Sequence, residues 1–208
     1  MDIFLLIIKG ILFLIFTYFF TRIIFDIILR GFTPLISSRP WVIKKIIEEI
    51  GEFKLDSKPV IYIYALSCGK SGFLNGIGKK YPQAKLIGVE YSLLPYIVAK
   101  IQVFLKRSKI KVLYKKDLYK FDISNADLIY CYLNIKILRN LPKKFKFECK
   151  QGTIIISNGI VIPNFKIKKS IELINKKRRF VFFSKHKKIW SSKMKEEKRV
   201  NKVYFYKI

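Results

Sequence analysis

Three cysteines, one histidine and 14 acidic residues are a thin supply of metal-binding and redox groups for a chain of 208 residues. Cys68, Cys131 and Cys149 are odd in number and widely spaced, form no C-x-x-C pair, and have only His186 to complete a ligand set. Neither a disulfide framework nor a zinc site is supported, and no metal is expected. The length leaves no room for two catalytic domains, since one domain usually takes about 100–200 residues. No internal repeat is visible.

What is present in quantity is apolar and basic. Hydrophobic residues make up 51% and aromatics 15%, enough to bury a core that offsets the entropy lost on folding. The 42 Lys and Arg against 14 Asp and Glu give a formal charge of +28, which attracts anionic membranes, nucleic acid or acidic proteins. The excess is mostly lysine and travels with abundant Ile, Phe, Tyr and Asn, the composition of an A+T-rich coding sequence. Isoelectric point alone therefore does not argue for nucleic acid, which is not an expected partner.

Residues 3–20 are apolar apart from Lys9, Thr17 and Tyr18. As a helix they reach about 27 Å, close to the hydrocarbon thickness of a bilayer. Lys9 lies near one end, where its stem can carry the ammonium to the headgroups. Arg22, Asp26 and Arg30 follow at four-residue spacing, a charge ladder on one face if the helix continues. The start Met1-Asp2 has no basic stretch and no small-residue cleavage site follows, so an uncleaved anchor is expected over residues 1–30 rather than a signal peptide or a surface helix. Arg22, Arg30, Arg39, Lys44 and Lys45 all follow the apolar run, so the positive-inside rule places the remainder in the cytoplasm, single-pass.

Residues 31–50 read as a connector and helix: Ser37 or Ser38 is an expected cap, Pro40 sits in the first turn, and Trp41, Ile43, Ile46, Ile47 and Ile50 recur at helical spacing. Residues 51–208 read as an α/β domain. Residues 60–66 form a short continuous apolar run, as in a strand covered on both faces, and a loop follows over residues 67–72. Helices are expected at 73–81 and 96–106, and strands at 85–90, 111–114, 128–133 and 153–157. Such alternation implies a parallel sheet. Residues 179–183 and 202–208 are strand-like without a helix between them, which predicts an antiparallel hairpin closing the sheet.

A strand, a glycine-containing turn and a helix start make a nucleotide-type site, because the turn admits a ligand to the backbone and the helix start presents free N–H groups. Glu90 lies 21 residues after Gly69, where an acid typically accepts ribose hydroxyls. Gly69-Lys70-Ser71 matches the end of a P-loop, but the opening glycine would fall at Tyr64 and no strand ends in a magnesium-binding aspartate. A dinucleotide loop needs its first glycine at Ser67, a weaker NAD-binding alternative.

The stretch from Gly31 onward resembles the small membrane-associated class I SAM-dependent methyltransferases related to the mitochondrial lysine methyltransferases of the ATP synthase c-subunit and the adenine nucleotide translocase. The resemblance is carried by Gly-Phe-Thr-Pro34, Tyr-Ala-Leu-Ser-Cys-Gly69, Ile-Gly-Val-Glu90, Asp117-Leu-Tyr, Asn-Ala-Asp-Leu-Ile-Tyr130, Gln-Gly-Thr-Ile-Ile-Ile-Ser157 with Ile-Pro163, and Val-Tyr-Phe-Tyr206. It implies a Rossmann-like methyltransferase sheet, S-adenosyl-L-methionine (SAM) as cofactor and a membrane-protein lysine as acceptor. By the same resemblance, Gly69 and the Ser67–Ser71 backbone approach the methionine part of SAM, Glu90 holds the ribose, and Asp117 and Leu118 border the adenine. The family loop is D-x-G-x-G-x-G. Here its aspartate is Ala65, its first glycine Ser67 and its third Ser71, so a degenerate fold kept as an interaction module is the alternative.

The remaining polar residues read more plainly. Asp127 is expected as a turn or capping acid, Cys131 as core and His186 as solvated surface. Tyr130 and Tyr132 end a strand where an acceptor pocket forms, and Tyr132 is the candidate for that pocket. The basic tract over residues 166–202 either is solvated or holds the domain against anionic lipid.

Overall fold

The computed structural model describes residues 2–30, 38–53, 55, 59–115, 117–174 and 200–208. The Gly31–Pro34 connector, the expected strand at 179–183, His186 and most of the 166–202 tract lie outside the described residues.

Helix α1 (Asp2–Arg30) is apolar enough over Ile3–Arg22 to cross a membrane, by length and composition, with a mean hydropathy of 2.5 and none of that window buried against the rest of the chain. At 1.5 Å per residue those 20 residues reach about 30 Å, the thickness of a hydrocarbon core. The helix runs unbroken to Arg30; the side chains of Asp26 and Arg30 lie outside the described set.

Helix α2 (Pro40–Ile50) begins as the sequence suggests, with Pro40 at its first turn, and buries Val42, Ile43, Ile46 and Ile50. Its cap differs from expectation. Arg39 occupies the N-cap without a side-chain bond, and the Ser38 hydroxyl turns instead to the Tyr130 hydroxyl at 2.5 Å. A buried phenol that must find a partner is the stronger demand, because the first N–H groups of an exposed helix end can bond water.

The sheet has seven strands in the order β3-β2-β1-β4-β5-β7-β6: β1 (Tyr62–Leu66), β2 (Lys85–Glu90), β3 (Lys111–Tyr114), β4 (Leu128–Cys131), β5 (Ile154–Asn158), β6 (Lys169–Ile174) and β7 (Val200–Lys207). The first five are mutually parallel, and β7 is antiparallel to both β5 and β6. A closing antiparallel hairpin is formed by Lys169–Ile174 and Val200–Lys207; the expected strand at 179–183 lies outside the described residues. Ser170, Ile171, Glu172 and Leu173 alternate polar and apolar, the period of an edge strand with one face on a core, and Leu173 is buried.

Helix α3 (Gly72–Lys80) joins β1 to β2 and α4 (Leu93–Leu105) joins β2 to β3. Both pack with α2 on one sheet face, around Ile43, Ile46, Phe73, Leu74, Ile77 and Ala99. The opposite face is covered by a 3-10 turn at Leu118–Lys120 and two helices that periodicity did not announce, α5 (Ile135–Leu138) and α6 (Leu141–Glu148). Four residues are too few to show a period. In α6, Leu141 and Phe145 alone carry the core contact, while buried Lys144 donates to Glu148 at 2.6 Å and to the Tyr119 carbonyl at 2.8 Å.

Asp127, expected as a turn or capping acid, is instead a buried brace between strands: it accepts the Tyr62 N–H at 2.8 Å and pairs with Lys150 at 2.9 Å, holding β4 beside the start of β1. Cys131 is fully buried, and burial pushes its thiol far above the ordinary range.

Candidate functional site

Strand order reverses between β1 and β4, since the chain goes outward from β1 to β2 and β3 and then returns to the other side of β1. In an open parallel sheet this reversal leaves a crevice beyond the carboxyl ends of the strands. The register brings Leu66, Glu90, Tyr114, Cys131 and Asn158 to that one edge.

The loop after β1 is shaped by three left-handed residues: Ser67 at φ 61°, Gly69 at φ 48° and Ser71 at φ 53°. These are the three positions where the resembled loop carries glycine. The two serines therefore replace residue types, not the conformation. Backbone bonds hold the turn: the N–H groups of Ser67 and Cys68 reach the Val89 carbonyl at 2.8 and 3.2 Å, and the Ser71 N–H reaches the Cys68 carbonyl at 2.8 Å. A Cβ built on Gly69 meets nothing within 4 Å, so open space lies over the turn.

Glu90 closes on this turn from β2. Its Oε2 accepts the Gly69 N–H at 3.1 Å and the Ser67 hydroxyl at 3.4 Å, and its Oε1 accepts the N–H groups of Tyr91 at 3.0 Å and Ser92 at 3.3 Å. The side chain is 1% exposed, and burial raises its carboxyl above the ordinary carboxylate range despite the opposing effect of the backbone N–H donors. The bond to Ser67 is the longest of the four. It is the one a ligand hydroxyl replaces at least cost.

Burial first, and the Glu90 charge second, push the Cys68 thiol up to about 12, which disfavours its thiolate. Ala65 lies inside the sheet, 1% exposed, between Gly88 and Tyr130 on its neighbouring strands, and offers no polar group. Asp117 caps the following 3-10 turn by accepting the Tyr119 N–H at 2.9 Å, and Leu118 is buried in the core of that face. Both follow the carboxyl end of β3. Tyr132, half-buried just past β4, packs on the α2–α3 side of the sheet.

Two features were not singled out in the sequence. Tyr114 ends β3 directly opposite Glu90, stacks obliquely on Tyr96 with ring centroids 5.4 Å apart, and has a buried hydroxyl without a partner. Its signal was its place, last in the strand that neighbours the acid. The other is a polar chain between β4, β5 and β7. Asn158 Nδ2 donates to the Tyr130 hydroxyl at 2.9 Å and to Ser38 Oγ at 3.2 Å, and Asn201 Nδ2 donates to Asn158 Oδ1 at 3.2 Å. Tyr130 also stacks on Phe73 at 4.1 Å. These contacts tie the start of α2 to the carboxyl edge, across separations that no local motif shows.

The serine positions yield a direct test. A non-glycine residue in the left-handed region costs about 1–2 kcal/mol. Ser67→Gly removes that cost and loses only one long side-chain bond, so its thermal midpoint should rise; a fall would show that the bond to Glu90 outweighs the backbone term.

Comparison with solved structures identifies the fold. An RNA methyltransferase from Salinibacter ruber, in complex with S-adenosyl-L-homocysteine, is 15% identical and aligns over 83% of this chain and 94% of its own with a TM-score of 0.62. A precorrin-6y methyltransferase from Geobacter metallireducens is 9% identical over 85% and 92% of the two chains, with a TM-score of 0.58. A tRNA methyltransferase from B. subtilis is 13% identical over 84% and 67%, with a TM-score of 0.54. The fold is thus the Rossmann-like fold of class I SAM-dependent methyltransferases. No protein-family model matches the chain, and no curated protein matches it either.

Proposed function

We propose that this chain is a SAM-dependent methyltransferase, anchored in a membrane by α1 with its catalytic domain on the cytoplasmic side, and that it methylates a lysine of a membrane protein near the interface. The observation that carries the cofactor reading is Glu90, at the carboxyl end of the strand next to β1, closing on a left-handed turn under open space. The fit is favourable: the orphaned Tyr114 hydroxyl lies at the same edge, and the Ser67 hydroxyl occupies the place on Glu90 that a ribose hydroxyl would take. Gly69 and the Ser67–Ser71 backbone would face the methionine part, and Asp117 and Leu118 would border the adenine. The proposal of a lysine acceptor rests on the sequence resemblance and on the membrane-length helix.

Bound SAM would supply a methyl group on a sulfonium. Transfer of that methyl to the acceptor nitrogen would leave the S–C bonding pair on sulfur and an N–H proton to be released to water. This chain need only align the acceptor and exclude water, so its contribution is proximity and orientation. A lysine must arrive neutral, and desolvation on approach to half-buried Tyr132 would lower its pKa.

Titration of the unmodified full-length protein with SAM tests this reading. A Kd below about 1 mM, equivalent to roughly −4 kcal/mol, is expected. No binding by a folded sample would leave the second reading, an interaction module, which is favoured by the buried Ala65 in place of the loop aspartate.

The anchor has its own test. Carbonate-washed membranes should retain the full-length chain, and a chain beginning near Gly31 should be released. Recovery of the full-length chain in the wash would remove the spanning helix.

A further inference from the structure

Helix α4 is apolar on both sides. Its inner face packs Ala99, Tyr96 and Val103 against the sheet. Its outer face carries Leu94, Ile97, Ile101, Phe104 and Leu105, of which Ile101 is 52%, Phe104 81% and Leu105 73% exposed. Positions 94, 97, 101 and 104 follow one another at three and four residues, so they form one stripe along the helix. Lys100, Lys106, Arg107 and Lys109 are exposed around its later half, and residues 93–110 contain no acid. A stripe of large apolar side chains bordered by cations is the pattern of a helix lying in a membrane interface.

What covers this stripe is indicated by α1, which approaches α4 locally, with Cα atoms within 8 Å. A spanning α1 therefore brings the bilayer to the side of the domain where α4 lies. The charges agree, because the basic border complements anionic headgroups, whereas pairing the stripe with itself in a second copy would set like charges against each other. Elsewhere the basic excess is partly consumed: Lys169 pairs with Glu49 and Glu52, each at 2.5 Å, and Lys202 with Glu172 at 2.6 Å.

We propose that α4 is a second membrane contact, seated lengthwise in the anionic interface beside α1 with the outer stripe among the acyl chains. This rests on α1 being a membrane anchor. Because α4 starts two residues after Tyr91 and is 13 residues long, roughly 20 Å, the docking fixes the Glu90 edge near the headgroups. The acceptor then has to be presented at the bilayer surface rather than from bulk solvent.

The test uses the full chain in vesicles of mixed neutral and anionic phospholipid. With Trp41→Phe and Trp190→Phe as background, Phe104→Trp places a reporter on the stripe, and Phe147→Trp places one on the exposed side of α6, on the other sheet face. In chains that float with the vesicles, the position-104 reporter should emit at shorter wavelength and lose most of its emission to acyl-brominated lipid. The position-147 reporter should do neither. Floating chains whose position-104 reporter stays water-like overturn the α4 contact and leave the anchor intact. A blue shift at 104 without quenching by brominated lipid also overturns it and indicates a protein partner or second copy. Equal quenching at both positions overturns the assigned face, and failure to float overturns anchor and contact together.

Discussion

Glu90→Ala should weaken SAM binding about ten- to a hundredfold, because a carboxylate accepting ribose hydroxyls contributes roughly 1.5–3 kcal/mol. The structure adds a second consequence. The alanine leaves the N–H groups of Gly69, Tyr91 and Ser92 without the acceptor they now share, so the turn loses its brace as well as its ligand contact. Folding responds less simply. Burial raises the native carboxyl above 4.5, so the native state takes up a proton more readily than the unfolded chain. Glu90's own contribution to stability is therefore greatest below the unfolded pKa and is lost as pH rises through the folded pKa. Removing the side chain lifts that penalty at neutral pH while orphaning its donors. Ligand binding has the opposite sign, since ribose hydroxyls donate to the ionised form: SAM affinity should be full above the unliganded pKa of Glu90 and decline as pH falls through it, starting above pH 4.5. In Glu90→Gln the decline should vanish. Calorimetric titration across pH checks both statements, and unchanged affinity in Glu90→Ala would remove this residue from the site.

Gly88→Val should cost about 1–3 kcal/mol of stability, as overpacking of a close-packed interior does. A Cβ at Gly88 would lie 2.8 Å from Cys68 Sγ, 3.0 Å from Cys68 Cβ and 3.2 Å from Leu74 Cδ1. Leu74 is fully buried in α3, and Cys68 is bonded through its N–H to the Val89 carbonyl, so neither moves alone. The shift must pass into the Ser67–Ser71 turn. Thermal unfolding in detergent should show a lower midpoint, by about 2–4 °C per kcal/mol for a chain of this size, together with weaker SAM binding. Stability lost with SAM affinity intact would mean that the turn is not held in place through Cys68.

The residues that were legible and those that were not divide along a physical line. The apolar run before Ser67, the acid ending β2 and the helical spacing of Trp41 to Ile50 declare themselves locally, because strand burial and helix periodicity are written into neighbouring positions. The strand Lys169–Ile174 is not announced by the sequence, because its pairing with Val200–Lys207 is a long-range choice and local strand character does not select one partner among several candidate runs. Helix α6 is not announced by periodicity because two apolar side chains and the pairing of buried Lys144 with half-buried Glu148 hold it, which reads locally as a charged loop.

Sequence alone thus determined the apolar N-terminal helix, the alternating α/β order and the pairing of a loop with Glu90, all of which depend on short-range patterns. Only the tertiary structure decided whether the substituted loop keeps its shape. Ser67 and Ser71 look like lost glycines in one dimension. In three, the backbone bonds from Ser67 and Cys68 to the Val89 carbonyl and the Glu90 bond to Gly69 hold both serines left-handed. Likewise, the need for glycine at position 88 comes from Cys68, 20 residues earlier, which a neighbouring strand's turn brings to 2.8 Å. Steric contact across a sheet has no period along the chain, so no local pattern can report it.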